Sequence, residues 1–405
     1  MDARVILPRR IEKGREMDNS GNTFNRPSAS IARASLPITQ ANHPTGEMYY
    51  DPAVLEREKQ VIFGQDWLCI GRAEEIPNAG DYKALRIVEQ PVLLCRQADG
   101  RIAAFSNTCL HRGVEIANGS GNAKEFSCPY HGWLYGLDGQ LIGAPYMRDA
   151  EGFDRKACKL PELPCESFQG WVFVSLSKTP PQFEAFVAEF AEKFGYIDME
   201  PMRLGIQRDI PLNCNWKLMV ENFIDFYHIG VLHKDTIGRY MKTTDVPYET
   251  RTRGQVFINE YDAGSHTKSG EVFVEPIPAL KGKPPRFSQA GVITPNVNFF
   301  VRPDYVMLYS SWPVDAKTMV MKQFIVFPRH VVESPTFPEV KRQFLEMSDK
   351  ILGEDFEMVE SLQNATKARH FVPGRMSRLE KGVQHFILHN LDRIYGNPEM
   401  AAAAD

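Results

Sequence analysis

Apolar and polar residues alternate along the chain with two different periods. Between residues 67 and 176 short apolar runs are separated by turns. The runs PVLLC and RIAAF flank the segment 97–100, and WLYG and QLIG flank 137–139. A glycine closes each segment, where a positive φ is common, so both pairs predict β-hairpins. With the further run GWVFVSL at 170–176, the pattern predicts a small all-β domain.

After residue 181 the apolar residues follow a helical period. NWKLMVENFIDFYHIGVLH (215–233) reads as helical, and long helices are predicted over 336–369 and 377–393. Three strand-like runs, VNFFV, DYVMLYSSW and TMVMKQFIVF, lie between them. This order predicts an α+β domain in which a helix packs on an antiparallel sheet. One predicted helix after Pro181 carries a stripe of four aromatic side chains that should face the core: Phe183, Phe186, Phe190 and Phe194.

Two polar stretches complete the organisation. Residues 1–45 form a polar N-terminal extension without a lasting period, which we expect to be loosely ordered. The Pro- and Gly-rich stretch 234–290 is predicted to be an irregular lid. The predicted division is therefore 1–45 as extension, 46–180 as the all-β domain with a leading helix, and 181–405 as the α+β domain.

Composition and charge exclude several classes of protein. The 405 residues carry 47 basic and 51 acidic side chains, a formal net charge of −4. Neither a basic excess nor a basic stripe is present, so we expect no nucleic-acid partner. No run reaches the roughly 18 apolar residues that a membrane-spanning helix needs. Seven cysteines do not suggest a disulfide framework and the N-terminus has no apolar signal core, so a cytoplasmic location is expected.

The first candidate site has the pattern C-x-H-x16-C-x2-H. Its members are Cys109, His111, Cys128 and His131, two close ligand pairs on predicted turns between strands. Such a set can hold one zinc ion. It can also hold a two-iron, two-sulfide cluster, with both cysteines on one iron and both histidines on the other. The residues alone leave both metals open.

The second candidate site lies in ENFIDFYHIGVLH. On a helix, Glu221, Asp225 and His228 would stand at i, i+4 and i+7, on one face. His233 follows His228 by five residues, so both imidazoles can reach one ion only if the helix ends or bulges between them, and Gly230 is the expected place. Two histidines and a carboxylate make the facial triad of non-haem iron enzymes. The alternative is a buried hydrogen-bond network without a metal.

Both sites carry a family resemblance. CLHRG with CPYHGWLYGLDGQL resembles the cluster-binding motif of Rieske proteins, in particular of Rieske non-haem iron oxygenases. NWKLMVENFIDFYHIGVLH, EDFEMVESLQ and GRMSRLEKGVQHF are similar to the catalytic domain of the same enzymes. The resemblance extends over residues 46–395. It implies a Rieske [2Fe–2S] domain followed by a helix-grip domain, an antiparallel sheet wrapped on a long helix.

The resemblance also implies roles for individual residues. Cys109, His111, Cys128 and His131 would hold the cluster, with Arg112 and Trp133 supporting it and Pro129 shaping the second loop. Mononuclear Fe(II) would be held by His228, His233 and Asp355, although an acidic solvated helix face would look similar, because further acids lie beside Asp355: Glu354, Glu357 and Glu360. Asp225 would not bind iron. It would link His228 to His131 of the partner subunit within a homotrimer.

The implied function is that of a terminal oxygenase in a multicomponent system. The chain has no G-x-G-x-x-G after a strand, so electrons would come from a separate NAD(P)H reductase, with or without a ferredoxin. CPYHGWLYGLDG and PDYVMLYSSWP resemble the choline-monooxygenase-like branch, which implies monooxygenation of a small organic molecule, by hydroxylation or N- or O-dealkylation. The strands at about 291–325 should line the pocket, and their apolar and aromatic residues favour a neutral or aromatic substrate. The alternatives are cis-dihydroxylation of an aromatic ring and a non-enzymatic electron carrier. Arg302 is expected to face outward, and His266 to have a surface or packing role.

Overall fold

The computed structural model of the protein describes residues 28–241 and 246–396. Residues 1–27 of the predicted extension lie outside this part. Residues 28–45 were expected to be loosely ordered, and the structure differs. A helix over Ser28–Ala34 packs on the C-terminal helix, and the backbone carbonyl of Ala34 accepts a 2.8 Å hydrogen bond from Gln384. Ile31, Ala34 and Ala41 are buried, and this apolar contact holds the segment in place.

Nine α-helices occur in the described ranges. In chain order they are α1 (Ser28–Ala34), α2 (Glu47–Tyr50), α3 (Pro52–Glu58), α4 (Phe183–Phe194), α5 (Trp216–Ile224), α6 (Ile229–Leu232), α7 (Arg329–Val332), α8 (Phe337–Ala365) and α9 (Lys381–Tyr395).

The described part of the chain also contains eighteen strands in four sheets. The first eleven are β1 (Trp67–Arg72), β2 (Asp81–Ile87), β3 (Gln90–Arg96), β4 (Ile102–Ser106), β5 (Ser120–Asn122), β6 (Glu125–Ser127), β7 (Leu134–Gly136), β8 (Leu141–Gly143), β9 (Glu162–Leu163), β10 (Cys165–Phe168) and β11 (Trp171–Ser175). The others are β12 (Arg203–Leu212), β13 (Tyr248–Thr250), β14 (Val256–Asp262), β15 (Phe287–Ile293), β16 (Val297–Val301), β17 (Val306–Pro313) and β18 (Met319–Phe327).

The first eleven strands form the predicted all-β unit. They make a five-stranded sheet (β5-β2-β3-β4-β9) and two three-stranded sheets (β1-β11-β10 and β6-β7-β8). Both predicted hairpins are present as the pairs β3–β4 and β7–β8. Gly100 and Gly139 close their turns with φ of +90° and +78°, a region that L side chains disfavour. The short β6-β7-β8 sheet carries the second ligand loop at one end.

The other seven strands form one antiparallel sheet in the order β12-β18-β17-β16-β15-β14-β13. Alternate residues of β16 face opposite sides: Phe299 packs on Phe190 and Phe194 of α4, whereas Phe300 belongs to the core on the other side. That other side is covered by α5, α8 and α9. The predicted α+β helix-grip architecture is confirmed, and the candidate iron site lies on its helix side.

Two local expectations were wrong. The stretch 234–290 is not wholly irregular, because β13, β14 and the start of β15 extend the large sheet. The helix predicted over 215–233 is two helices, α5 and α6, with Asp225 in an extended conformation after the first. No helix in the described residues is long and apolar enough to cross a membrane.

Candidate metal centres

Two loops of the same design present the first set of residues. In the first loop, the amide of Cys109 donates to Val114 O at 2.8 Å, and that of Gly113 donates to Cys109 O at 2.9 Å. The second loop repeats both bonds: Cys128 donates to the carbonyl five residues on, at 2.8 Å, and receives one from Gly132 at 3.0 Å. Each glycine has a positive φ. The two cysteines therefore start equivalent loops.

The loops bring the four predicted cluster residues to one tip of the domain. The Nδ1 atoms of His111 and His131 face each other at 3.1 Å, while Cys109 and Cys128 are buried behind them. Four ligands of one tetrahedral zinc would lie about 3–4 Å apart. Within the described ranges, no three ligand atoms of this quartet lie within 4.8 Å of one another. The set is too open for one zinc ion and fits a cluster with a cysteine side and a histidine side.

Aromatic side chains orient these residues. The indole of Trp133 stacks on the His111 ring at 5.1 Å, nearly parallel. Tyr135, buried below, places its hydroxyl 3.3 Å from Cys109 Sγ, and the same oxygen accepts from the amide of Leu110 at 3.0 Å. Hydrogen bonds to ligand sulfur raise the potential of such clusters. Arg112, expected to support the cluster, lies over the Tyr130 ring and donates to its hydroxyl at 3.3 Å.

The second set lies where α5 ends. The Asp225 side chain accepts from the amide of Tyr227 at 2.6 Å, an Asx turn that competes with further helix. The single turn of α6 then has His228 and His233 at its two ends. Their rings lie 5.1 Å apart at 66°. The break between the two helices thus precedes His228, and Gly230 lies inside α6 rather than at a bulge.

Asp355 on α8 joins the two histidines. Its Oδ1 lies 3.0 Å from Nε2 of His233 and 3.5 Å from Nε2 of His228. This group is the only set of three His, Cys, Asp or Glu side chains in the described residues whose ligand atoms lie within 4.8 Å of one another. Oδ1 is buried and has no hydrogen bond of acceptable geometry. A buried carboxylate oxygen without a hydrogen bond, facing two imidazole nitrogens, fits a metal-binding site.

Each histidine also contacts a second carboxylate through its Nδ1 atom, on the side of the ring away from Asp355. Asp225 Oδ2 lies 3.0 Å from Nδ1 of His228, and Glu354 Oε2 lies 2.7 Å from Nδ1 of His233. Thr236 Oγ1 donates to the same Glu354 oxygen at 2.7 Å. Such partners fix the tautomer of a metal-binding histidine and leave Nε2 for the metal. Glu354 was considered as an alternative to Asp355; the structure places it behind the site instead.

The electrostatics of the site favour a cation. Burial opposes the charged form of His228, but Asp225 and Asp355 outweigh burial and raise its pKa to about 9. Burial alone would raise the pKa of Asp355, but the two histidines lower it overall. In the apo site the carboxylates therefore stabilise protons on the imidazoles, and a divalent ion can replace these protons.

Known families match both halves of the chain. A model of the Rieske [2Fe-2S] domain matches residues 66–164, and a model of the ring-hydroxylating alpha subunit (catalytic domain) matches residues 199–395. The chain is a Rieske non-haem iron oxygenase. Its cofactors are a Rieske [2Fe–2S] cluster and a mononuclear iron, and it is an oxidoreductase that works as a terminal oxygenase.

Relatives of this oxygenase differ in their substrates. The carnitine monooxygenase oxygenase subunit of Acinetobacter pittii is 28% identical over 330 residues, 80% of this chain and 85% of the relative. The glycine betaine monooxygenase oxygenase subunit of Pseudomonas aeruginosa is 27% identical over 384 residues, 86% and 88% of the two chains. The biphenyl 2,3-dioxygenase subunit alpha of Rhodococcus jostii is 37% identical over 194 residues, only 45% and 41%.

Solved structures share the fold. The apo form of a quaternary ammonium Rieske monooxygenase is similar at a TM-score of 0.73 and 25% identity, covering 92% of this oxygenase and 99% of that chain. Naphthalene 1,2-dioxygenase with bound indole is similar at a TM-score of 0.71 and 19% identity, covering 92% and 97%. The second likeness concerns the fold alone.

Three residues near the iron site have positions that the sequence did not predict. Glu354 precedes Asp355 directly, and this acidic pair was the one available signal. Arg302, expected to face outward, and His266, expected at the surface or in packing, are both buried and line a cavity beside His228 and His233. No pattern in the sequence gives the direction of either side chain.

Proposed function

We propose that this chain binds its cluster through Cys109, His111, Cys128 and His131, and its catalytic iron through His228, His233 and Asp355. The observation that carries the iron assignment is the pair of imidazoles whose Nδ1 atoms meet carboxylates while their Nε2 atoms converge on Asp355 Oδ1. This arrangement supplies three ligands from one side and leaves the cavity side open. We further propose the division of the chain at about residue 180.

The residues around the iron site would orient and enclose it. A Rieske cluster transfers one electron at a time, and ferrous iron with open positions activates dioxygen. Asp225 and Glu354 hold the two imidazole rings in place. On the open side, Phe223, Phe300 and Tyr309 form an aromatic wall that limits water and positions a small organic substrate.

Monooxygenation of a small organic molecule is the leading reaction. It is supported by the relatives that extend over most of the chain, whose names are those of monooxygenases acting on carnitine and glycine betaine. Cis-dihydroxylation of an aromatic ring is the second candidate, since the biphenyl dioxygenase subunit has the higher identity over its shorter match. Turnover under ¹⁸O₂ separates them. One labelled oxygen, in a hydroxylated product or in the aldehyde that dealkylation releases and that is trapped before it exchanges with water, indicates monooxygenation. Two labelled oxygens on adjacent ring carbons indicate dihydroxylation.

A site-specific pair of variants tests the ligand assignment during the same turnover assay. Cys109→Ala should lose the visible cluster spectrum, because one cluster thiolate is removed. Asp355→Ala should keep that spectrum and lose product, because only the mononuclear site is changed. A colourless Asp355→Ala protein, or one that still oxygenates substrate, would show that the two sites are assigned incorrectly.

Electron delivery is proposed to come from a separate NAD(P)H-dependent reductase or ferredoxin and to cross between subunits of a homotrimer. The exposed side chains support contacts at both ends of this route. Tyr130 is exposed and its ring centre lies 3.8 Å from that of His131, and Tyr227 is exposed and donates its amide to the side chain of Asp225. A contact that joins two different faces closes into a ring when the rotation between neighbouring subunits permits it, and a homotrimer is such a ring. In this arrangement Asp225 of one subunit would reach His131 of the partner subunit.

Complementation tests the inter-subunit route. Homotrimers of Cys109→Ala or of Asp355→Ala should be inactive, because each lacks one metal centre. Co-expression should recover part of the activity, since some interfaces then join an intact cluster to an intact iron site. Adding Asp225→Ala to the Cys109→Ala chain should abolish the recovery although both metals stay bound. Mixed oligomers that remain inactive with both metals present would contradict the route.

A further inference from the structure

A cavity beside the candidate iron site contains one cationic side chain that is not part of that site. Its walls are mainly apolar and aromatic, and they include Phe226, Met241, Met307 and Ile351. Arg302 also lines the cavity, and only 5% of its surface is exposed to solvent. A guanidinium is almost never buried to this extent without an anionic partner. The positive charge of Arg302 in this cavity therefore needs a compensating partner.

The backbone fixes Arg302 at the turn between β16 and β17. Its amide donates to Tyr305 O at 2.9 Å, which closes the turn. The side chain donates one hydrogen bond, from Nη1 to the Tyr261 hydroxyl at 2.8 Å, and its centre lies 5.6 Å from the Tyr261 and Phe300 rings. Nε is buried and has no hydrogen-bond partner. Cation–π contacts and one phenol leave part of the donor fork free.

No carboxylate compensates this charge in the part of the chain that the structure describes. The salt bridges of that part do not include Arg302, and the acceptor of its side-chain hydrogen bond is the neutral hydroxyl of Tyr261. The nearest acid in sequence, Asp304, accepts hydrogen bonds from the amide of Phe273 at 2.7 Å and from Ser265 Oγ instead. A buried and unpaired cation is costly. A ligand anion would provide the missing partner.

A second unpartnered group lies in the same cavity. His266 is 7% exposed, and its Nδ1 has no hydrogen-bond partner. Its backbone amide donates to the Tyr305 hydroxyl at 2.8 Å and its ring stacks on Phe344. Burial, and next to it the charge of Arg302, lower the pKa of His266 to about 3, so the ring is neutral. A neutral imidazole can donate one N–H to an anion without adding a second positive charge.

The acids of the cavity are not available for a cationic ligand. Among the lining side chains only Asp225 and Asp355 are acidic, and both lie against the histidines of the iron site. The cavity thus has an unpaired guanidinium at one side and no free carboxylate. The charges favour an anionic substrate over a purely cationic one.

We propose that Arg302 binds the carboxylate group of the substrate, with His266 beside it, so that the apolar part of the substrate lies against the iron site. This inference rests on the proposed function, because it makes this cavity the oxygenation site. A planar guanidinium with free N–H groups matches a carboxylate in geometry as well as in charge. A neutral hydrocarbon would leave the guanidinium buried and unpaired.

Binding to the holoenzyme tests the proposal without turnover. The probes are benzoate and 3-phenylpropionate, each compared with its uncharged amide, and glycine betaine compared with choline. Calorimetric titration gives the dissociation constants. We expect each acid to bind roughly 10- to 200-fold more tightly than its amide, the range for a charge-assisted hydrogen bond to a buried group. The betaine pair shows whether a zwitterion can supply the carboxylate, because choline has the same ammonium group but a hydroxyl in place of the carboxylate.

Variants assign the preference to Arg302. In Arg302→Gln, and in Arg302→Met as a second variant should the first fold poorly, acids and amides should bind equally. The matched control is Arg329→Gln, which removes the same charge at an exposed position that pairs with Glu333. Iron content and thermal midpoint establish that each variant is folded. The control should keep the full preference of the wild type.

Equal binding of acids and amides by the wild type, including no binding of either, would overturn the proposal. So would a preference that persists in both Arg302 variants, or choline binding as tightly as glycine betaine. The oxygenase assignment fails separately. If acids bind through Arg302 but no probe gives a labelled product with a competent reductase, the subsite stands and the proposed function does not. If neutral compounds are oxygenated and acids show no preference in binding, the proposed function stands and the carboxylate subsite does not.

Discussion

Glu354→Ala should weaken iron binding, although the Glu354 side chain does not face the iron site directly. Its Oε2 lies 2.7 Å from Nδ1 of His233 and also accepts from Thr236. Glu354→Ala removes the partner that fixes the His233 ring and leaves all three proposed iron ligands intact. Loss of such a partner typically weakens metal binding by about 10- to 100-fold. That range corresponds to about 1.4–2.7 kcal/mol of metal-binding free energy.

The assay is competition for Fe(II) between the protein and a chelator of known affinity, in protein that keeps its Rieske cluster. The cluster absorbance then reports that the first domain is intact while the mononuclear site is titrated. Glu357→Ala is the matched control, since Glu357 lies on the same helix and is exposed. Its iron affinity should equal that of the wild type.

Iron affinities of Glu354→Ala and Glu357→Ala within about twofold of each other would show that Glu354 does not support His233 as an iron ligand. An intermediate result for Glu354→Gln is expected, because an amide oxygen can still accept from Nδ1–H but carries no charge. A complete loss of the cluster in Glu354→Ala would instead indicate general unfolding, which the absorbance detects.

Three further predictions concern stability. Gly254 has a φ of +73°, and a Cβ there would lie 2.4 Å from His389 Cγ, so Gly254→Ala should lower the free energy of unfolding by about 1–3 kcal/mol. Gly353 lies within α8, and a Cβ there would meet open space, so Gly353→Ala should raise the free energy of unfolding by about 0.5–1 kcal/mol. Denaturant titration measures both changes. Burial raises the pKa of Glu221 from its ordinary 4.5 to about 7. Between pH 4.5 and 7 the folded chain therefore holds a proton on Glu221 that the unfolded chain releases. The free energy of unfolding of the wild type, relative to that of Glu221→Gln, should fall as the pH rises through this range. A difference between the two proteins that does not change with pH would contradict this prediction.

Local spacing was sufficient to predict that the members of each cysteine–histidine pair lie close together, but not which metal the four residues would bind. Both cysteine–histidine pairs lie on loops of a few residues, so their proximity follows from the hairpins around them. His228 and His233 were predictable for the same reason. Asp355 was not, because it follows His233 by 122 positions and only the family resemblance connected them. Spacing also could not tell Asp355, which faces the histidines, from Glu354, which stands behind one of them.

The errors have physical causes. The helix ends at Ile224 because the Asp225 side chain satisfies the amide of Tyr227, and this local bond was not weighed against helical periodicity. The strands β13 and β14 were missed because Pro and Gly around them dominated the interpretation of that stretch. The direction of Arg302 depends on the turn between β16 and β17, where one residue of register decides between solvent and cavity.

The most direct test of the account is the iron and acid-labile sulfide content of the wild type and of Asp355→Ala, measured with the paramagnetic spectrum of the reduced cluster on the same samples. We expect about three iron and two sulfide per chain in the wild type, and about two of each with an unchanged cluster signal in the variant. An Asp355→Ala protein that retains the third iron, or a wild type that holds zinc in place of the cluster, would contradict it.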